Sequence, residues 1–427
     1  MKKRLGIIIL LICSIFQLAN AQSLKSALEA LPSVKSVEVM KCKGFTEKYM
    51  LRFEQPLDHK HPEKGTFLQR VFVCNVNRDS STVIVTEGYG AAYAMRDAYR
   101  DELSVLFNLN NVVVEHRYFL ESTPEGCDWQ FLTAENAAAD YHKIVTELKT
   151  IYKKKWIDTG ISKGGQNSVI YRSFYPKDMD LTVAYVGPFC RSREDGRHEP
   201  FIAEFAGTPQ DRKAIKDFQT EYFKRKKAIL PWFDSLCTAN NYKFRSSMEE
   251  AYEYTGLEFS FSYWQWGYPT KAIPSNNASD REIFNFMMRN CGPDYWDYTQ
   301  ANAPFYVMAA HELGYYGYDI EPFKEYLSIK STKGYLERIW LPKELIGSKF
   351  DKTLSKKLDK FIRRTKCDVI FIYGEFDPWS AVRAGDKHRD NVKIFIDPAG
   401  SHRARIRTLP EDRQSEVKSL IANKLYN

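Results

Sequence analysis

Apolar and polar positions along the chain fall into two regimes. Over residues 49–186, and again over 368–396, short apolar runs recur between polar turns, whereas residues 191–348 carry longer charged and apolar stretches rich in aromatics. Residues 49–53 and 67–73 alternate with a period of two across a turn-rich segment at 58–65, as half-buried strands joined in a hairpin do. Residues 81–86, 111–115 and 181–186 are instead continuous apolar runs, the pattern of strands covered on both faces. Residues 135–152 read as an amphipathic helix, and two further strand-like runs stand at 368–374 and 392–396. This alternation predicts an α/β fold, a mostly parallel sheet with helices on both faces. Ligands of such sheets bind beyond the carboxyl ends of the strands. A chain this long exceeds a single ordinary core. The stretch 191–348 is therefore expected to be a large helical cap inserted between two strands, dividing the core into 22–190 and 349–427. Most aromatics of the cap are expected to pack its interior, with a minority facing a pocket.

The first residues change the setting. Lys2-Lys3-Arg4 precedes a mostly apolar run from Leu5 to Leu18, too short for a lasting membrane span, and then Ala19-Asn20-Ala21. Residues 1–21 are expected to be a signal peptide and the protein to be periplasmic or extracellular; Ile12 before Cys13 argues against a lipid anchor. No later run is apolar for long enough to make a membrane helix. Without the leader the net charge falls from +8 to about +5. Charges of both signs are interspersed throughout, which excludes a nucleic-acid partner and describes an ordinary solvated surface. None of the seven cysteines after Cys13 forms a Cys-x-x-Cys pair, against a structural zinc site. His59 and His61 lack a further ligand nearby and read as an exposed hairpin loop. No metal or other cofactor is expected. Oligomeric state and disulfide pairing are open at this level.

The chemistry concentrates at Asp158-Thr159-Gly160-Ile161-Ser162-Lys163-Gly164-Gly165. Its small-x-Ser-x-Gly spacing, after an apolar run and before a helix-compatible segment, is that of a nucleophile elbow, in which a serine sits on a tight strand-to-helix turn. The helix that follows brings free N–H groups and a favourable dipole beside the hydroxyl. A serine nucleophile needs a general base, and the base needs a carboxylate to fix its tautomer. With this elbow they follow in the order acid, then histidine, each after a late strand. Asp377 and His402 meet that order, ahead of Glu375, Asp397 and His388. Two donors should face the oxyanion: the Lys163 backbone N–H and the loop at Gly88 and Tyr89, where the Tyr89 phenol is either a third donor or pocket wall. The Lys163 side chain is expected to reach solvent or pair with an acid.

Several multi-residue motifs occur in one order: Phe53-Glu54-Gln55-Pro56-Leu57-Asp58-His59, Glu87-Gly88, Glu115-His116-Arg117-Tyr118, the elbow, Glu312-Leu313-Gly314-Tyr315-Tyr316 and Asp377-Pro378-Trp379-Ser380. With them the chain resembles the prolyl carboxypeptidase and dipeptidyl peptidase relatives. The Ser-Lys-Gly-Gly elbow is more similar to the secreted bacterial prolyl tripeptidyl aminopeptidases related to them. Lys163 and Lys60 depart from the carboxypeptidase pattern in the same direction. The resemblance implies an α/β-hydrolase fold with a helical cap and a serine exopeptidase acting on peptide substrates through Ser162, Asp377 and His402. It also implies a preference for proline at the cleaved position, with Trp379 in the slot for the ring. An aminopeptidase must hold the substrate ammonium on a carboxylate; Glu312 is the first candidate and Glu115 the second, although a strand-end Glu115 near Arg117 also fits a structural ion pair. Carboxypeptidase or dipeptidyl peptidase activity, an esterase or lipase, and a non-catalytic binding protein are the alternatives.

Overall fold

The computed structural model describes residues 23–426; the expected signal peptide lies outside them. Nine strands form one sheet: β1 (Val34–Val39), β2 (Glu47–Pro56), β3 (Thr66–Asn75), β4 (Thr82–Thr86), β5 (Asn110–Val114), β6 (Trp156–Ile161), β7 (Leu181–Tyr185), β8 (Val369–Gly374) and β9 (Val392–Asp397), in the spatial order β1-β2-β3-β5-β4-β6-β7-β8-β9. The first three strands are antiparallel and β3 meets β5 antiparallel. All pairs from β5 to β9 are parallel. The central strands β4, β5, β6 and β7 are buried almost throughout, which is why their sequences are apolar without alternation. Strand β1 escapes the sequence pattern because it is an edge strand whose residues are all partly or fully exposed.

Helices cover both faces. On one lie α1 (Leu24–Glu29), α3 (Ala134–Leu148), α4 (Lys163–Phe174) and α11 (Thr353–Arg364); on the other lie α2 (Glu102–Phe107) and α12 (Glu411–Tyr426). Between β7 and β8 the described residues form helices and loops, with one isolated bridge between Glu194 and Tyr315. This insertion contains α5 (Pro209–Lys224), α6 (Lys226–Ala239), α7 (Met248–Trp266), α8 (Asp280–Asn290), α9 (Ala303–Met308) and α10 (Tyr335–Trp340). Three of these begin at capping boxes, Thr208 with Asp211, Ser247 with Glu250 and Ser279 with Glu282, each satisfying backbone donors that a helix start leaves free. Helix α7 is buried on nearly all sides, so it forms the axis of the insertion. One apolar core runs without a break from the sheet face into these helices, fixing the insertion above the strand ends. Among the described residues no helix is long and apolar enough to cross a membrane.

His59 is not a free loop residue: its Nε2 meets Asp140 Oδ1 at 2.7 Å, and Asp140 also holds the Arg117 guanidinium by two bonds of 2.7 Å. His61 lies beside Glu63.

Candidate active site

Ser162 stands between the end of β6 and the first turn of α4, with φ 59° and ψ −123°. Its N–H donates to Tyr185 O on β7 at 2.9 Å, which anchors the turn to the neighbouring strand. The crossing is tight. A Cβ at Gly160 would come within 2.2 Å of Gly164 O, and one at Gly165 within 2.6 Å of Tyr185 O. Glycine is required there by backbone approach. The Lys163 N–H, at the first position of α4, is among the donors that no helical carbonyl can satisfy.

Asp377 follows β8 and His402 follows β9. These strands pair in register with Gly374 opposite Asp397, so the two loops leave the sheet side by side. His402 Nδ1 lies 2.7 Å from Asp377 Oδ2; the aspartate is fully buried and the histidine nearly so. The other Asp377 oxygen accepts the Trp379 N–H at 3.2 Å. His402 Nε2 is buried and has no hydrogen-bond partner, while it and Ser162 line the same cavity of about 640 Å³. The structure thus joins Asp377 to His402 and brings Ser162 to the same cavity without closing a serine–histidine hydrogen bond. The Tyr89 phenol lines the same cavity as the Ser162 hydroxyl.

The loop after β4 differs from expectation. The Gly88 N–H donates to Glu87 Oε1 at 3.1 Å. The Gly88 donor is therefore committed, and the ring of Tyr89, wedged edge-on between Phe119 and Phe305, lines the cavity with the serine. Lys163 departs further. Its side chain is neither in solvent nor on an acid: it is buried and donates to Gly88 O at 2.6 Å, between the Tyr89 and Phe119 rings. Burial pushes its pKa down to about 7, against the charges of Glu87 and Glu312.

Neither carboxylate expected to hold a substrate ammonium lines the cavity. Glu312, in the turn Ala309–Leu313, accepts the Ala134 N–H at 2.6 Å and so serves the start of α3. Burial raises its pKa to about 7. Glu115 is fully buried, paired with Arg70, and accepts from Ser122 Oγ at 2.9 Å and the Ala91 N–H at 2.8 Å; it is a structural ion-pair residue. The carboxylates that do line the cavity are Glu87, Asp101 and Asp294. Glu87 is held by the Tyr93 hydroxyl at 2.7 Å, and Asp101 caps α2 through the Leu103 N–H at 2.8 Å. Asp294, exposed on the insertion side, carries no side-chain hydrogen bond or ion pair among the described residues.

Trp379 lines the cavity within an aromatic wall: Tyr315 and Tyr316 stand 5.4 and 5.3 Å from it, and His198 and Phe261 lie behind it at 5.4 and 5.2 Å. Burial keeps His198 neutral, with its pKa lowered to about 4. Sequence reasoning missed Gln265 at the end of α7. Its carbonyl accepts the His402 N–H at 3.0 Å and its Oε1 accepts the Trp379 indole N–H at 3.3 Å, so one residue ties the insertion to both loops. An amide inside the run Tyr263-Trp264-Gln265-Trp266 was the available signal.

A mostly parallel sheet carrying a serine at a strand-to-helix elbow, under a helical insertion, defines an α/β hydrolase. Residues 19–424 match the model of the PS-10 peptidase S37 family. The chain belongs to that family and is a serine peptidase. It is 29% identical over 415 residues to the prolyl tri/tetrapeptidyl aminopeptidase of Streptomyces mobaraensis, covering 93% of this chain and 84% of that protein. Among solved structures it is similar to a proline iminopeptidase of Mycobacterium smegmatis, with 12% identity, TM-score 0.39 and coverage of 88% of this chain and 97% of that one. The acetyl esterase MekB gives 13% identity and TM-score 0.42 over 92% and 97%. Both likenesses are distant, and the fold class rests on the sheet itself. Family membership sets aside the esterase and non-catalytic alternatives.

Proposed function

We propose that the protein is an exported exopeptidase that binds peptides by a free N-terminus and releases short N-terminal fragments, of tripeptide length, with a preference for cleavage after proline. The observation that carries this reading is the buried Asp377–His402 pair sharing one capped cavity with the elbow serine. His402 Nε2 takes the Ser162 hydroxyl proton as Oγ attacks the scissile carbonyl. The Lys163 N–H and the Tyr89 phenol receive the oxyanion. As the C–N bond breaks, the imidazolium returns its proton to the leaving amine, giving an acyl-enzyme. Water, deprotonated by His402, then attacks the ester carbonyl, and collapse returns the proton to Ser162 and frees the peptide acid.

Trp379, with Tyr315 and Tyr316, offers a flat apolar wall for a proline ring, and Asp294 is the free carboxylate suited to the ammonium. Export rests on the leader at residues 1–21, and the tripeptide length on the resemblance of the elbow and on the Streptomyces relative.

A mass-spectrometric digest of peptides with free and acetylated N-termini tests the reading. Tripeptides should be released after proline from the free peptides only, Ser162→Ala should release none, and Asp294→Asn should raise KM about tenfold with kcat little changed. Equal cleavage of acetylated peptides, or release of single C-terminal residues, would overturn the aminopeptidase assignment.

A further inference from the structure

The insertion holds a second cavity, of about 470 Å³, that shares no lining residue with the catalytic one. Helices α5 and α7 form two of its walls, and residues 199–203 and 317–323 supply the others. Its apolar lining includes Ile202, Ile215, Leu257, Phe261 and Phe323. Two buried polar atoms among its lining residues have no partner, Trp264 Nε1 and Glu199 Oε2. An unpaired buried donor or acceptor costs free energy that a complementary ligand recovers.

Trp264 is only 6% exposed and cannot turn aside. Its ring lies over Gly207, which has φ +61° and where a Cβ would come within 2.1 Å of it, and its edge faces Phe376. Burial and the charges of Asp195, Asp319 and Glu194 raise the pKa of the Glu199 carboxyl against the pull of its own backbone hydrogen bond, and an acidic corner of this kind favours a cationic neighbour. The α5 wall has the opposite sign. Arg212 is spent on the Ala206 and Gly207 carbonyls and Lys213 on Asp217, but Lys216, exposed at the rim, has no ion-pair partner among the described residues.

We propose that this cavity is a second binding site, taking a short apolar peptide with a free amino terminus. The ammonium lies at Glu199, the carboxylate faces Lys216, the Trp264 ring closes the wall, and the side chains fill the apolar lining. Phe261 is the partition: it lines this cavity, stacks on Tyr316 at 3.6 Å and stands edge-on to Trp379, and those two rings line the catalytic cavity. A peptide here therefore presses on the aromatic wall of the active site through one ring. The ligand belongs to the same chemical class as the fragments the proposed activity releases, but the site itself does not rest on that activity.

Calorimetric titration of Leu-Leu into the Ser162→Ala protein tests the site independently of turnover. Ala203→Trp, an exposed position on the rim that fills the cavity, and Glu199→Gln are each added to that background. Leu-Leu should bind the parent, each added substitution should remove this event or weaken it roughly tenfold or more, and N-acetyl-Leu-Leu should not compete for it. Unchanged turnover of a proline arylamide by Ala203→Trp with Ser162 intact shows that the variant folds. Leu-Leu binding of equal affinity and stoichiometry in all three proteins would place it in the catalytic cavity and overturn the proposal, as would no binding at millimolar peptide.

Discussion

Ser162 occupies a positive-φ conformation that side-chain-bearing residues seldom adopt. The anchor to Tyr185 and the glycines at 160 and 165 hold it there, and the reward is a hydroxyl projecting over the strand ends beside the start of α4. This much was legible in the spacing of the motif. The environment of its neighbours was not: no local pattern says that Lys163 turns inward to hold Gly88 O or that Glu87 takes the Gly88 N–H. In the proposed mechanism, the Tyr89 phenol is the second oxyanion donor. Tyr89→Phe should lower kcat by about 10²-fold, a barrier change of about 2.7 kcal/mol, with KM nearly unchanged and the fold intact by circular dichroism. An undiminished kcat would return the ring to a wall role.

At the scale of elements, the last turn of α7 decides how the insertion meets the sheet. Gln265 holds the His402 loop through its carbonyl and Trp379 through its amide, so the histidine, the aromatic wall and the cap are positioned as one unit. Gln265→Ala keeps the backbone bond and frees the indole N–H, at a cost of about 1 kcal/mol. Steady-state kinetics should show KM for proline arylamides raised about fivefold and kcat changed less than twofold. A loss confined to kcat would mean that the side chain positions His402 instead. The strands themselves were readable because full burial demands apolar runs. The cap helices were readable only as helical, since which side of each faces the serine depends on how α7 packs.

The whole molecule shares one core between sheet and insertion, and it buries a carboxyl near the middle of α7. Glu258 is 4% exposed and accepts from the Tyr318 hydroxyl at 2.6 Å and the Tyr316 hydroxyl at 3.0 Å. Burial raises its pKa to about 8, although those two hydrogen bonds pull it the other way. Between the ordinary glutamate range and that value the native state keeps a proton that the unfolded chain has released. Its contribution is therefore present at low pH and lost as pH rises toward about 8. Thermal unfolding followed from about pH 6 to about pH 9 should show a steeper fall in Tm for the wild type than for Glu258→Gln. Lys163, whose lowered pKa gives the opposite slope, is common to both proteins and cancels in the comparison. Parallel curves would mean that Glu258 is already ionised in the folded protein.

The sequence by itself determined the α/β class, the strand order along the chain, the elbow and the order of serine, aspartate and histidine. Each of these is written in local spacing or in the apolar runs that burial imposes. Tertiary structure alone decided which carboxylates reach the cavity. Glu312 and Glu115 are acids in suggestive motifs, yet one caps α3 and the other answers Arg70, while Asp294, in no motif, is left facing the cavity. A carboxylate's role depends on which donors the fold brings to it from distant parts of the chain, and a linear pattern holds no record of those distances.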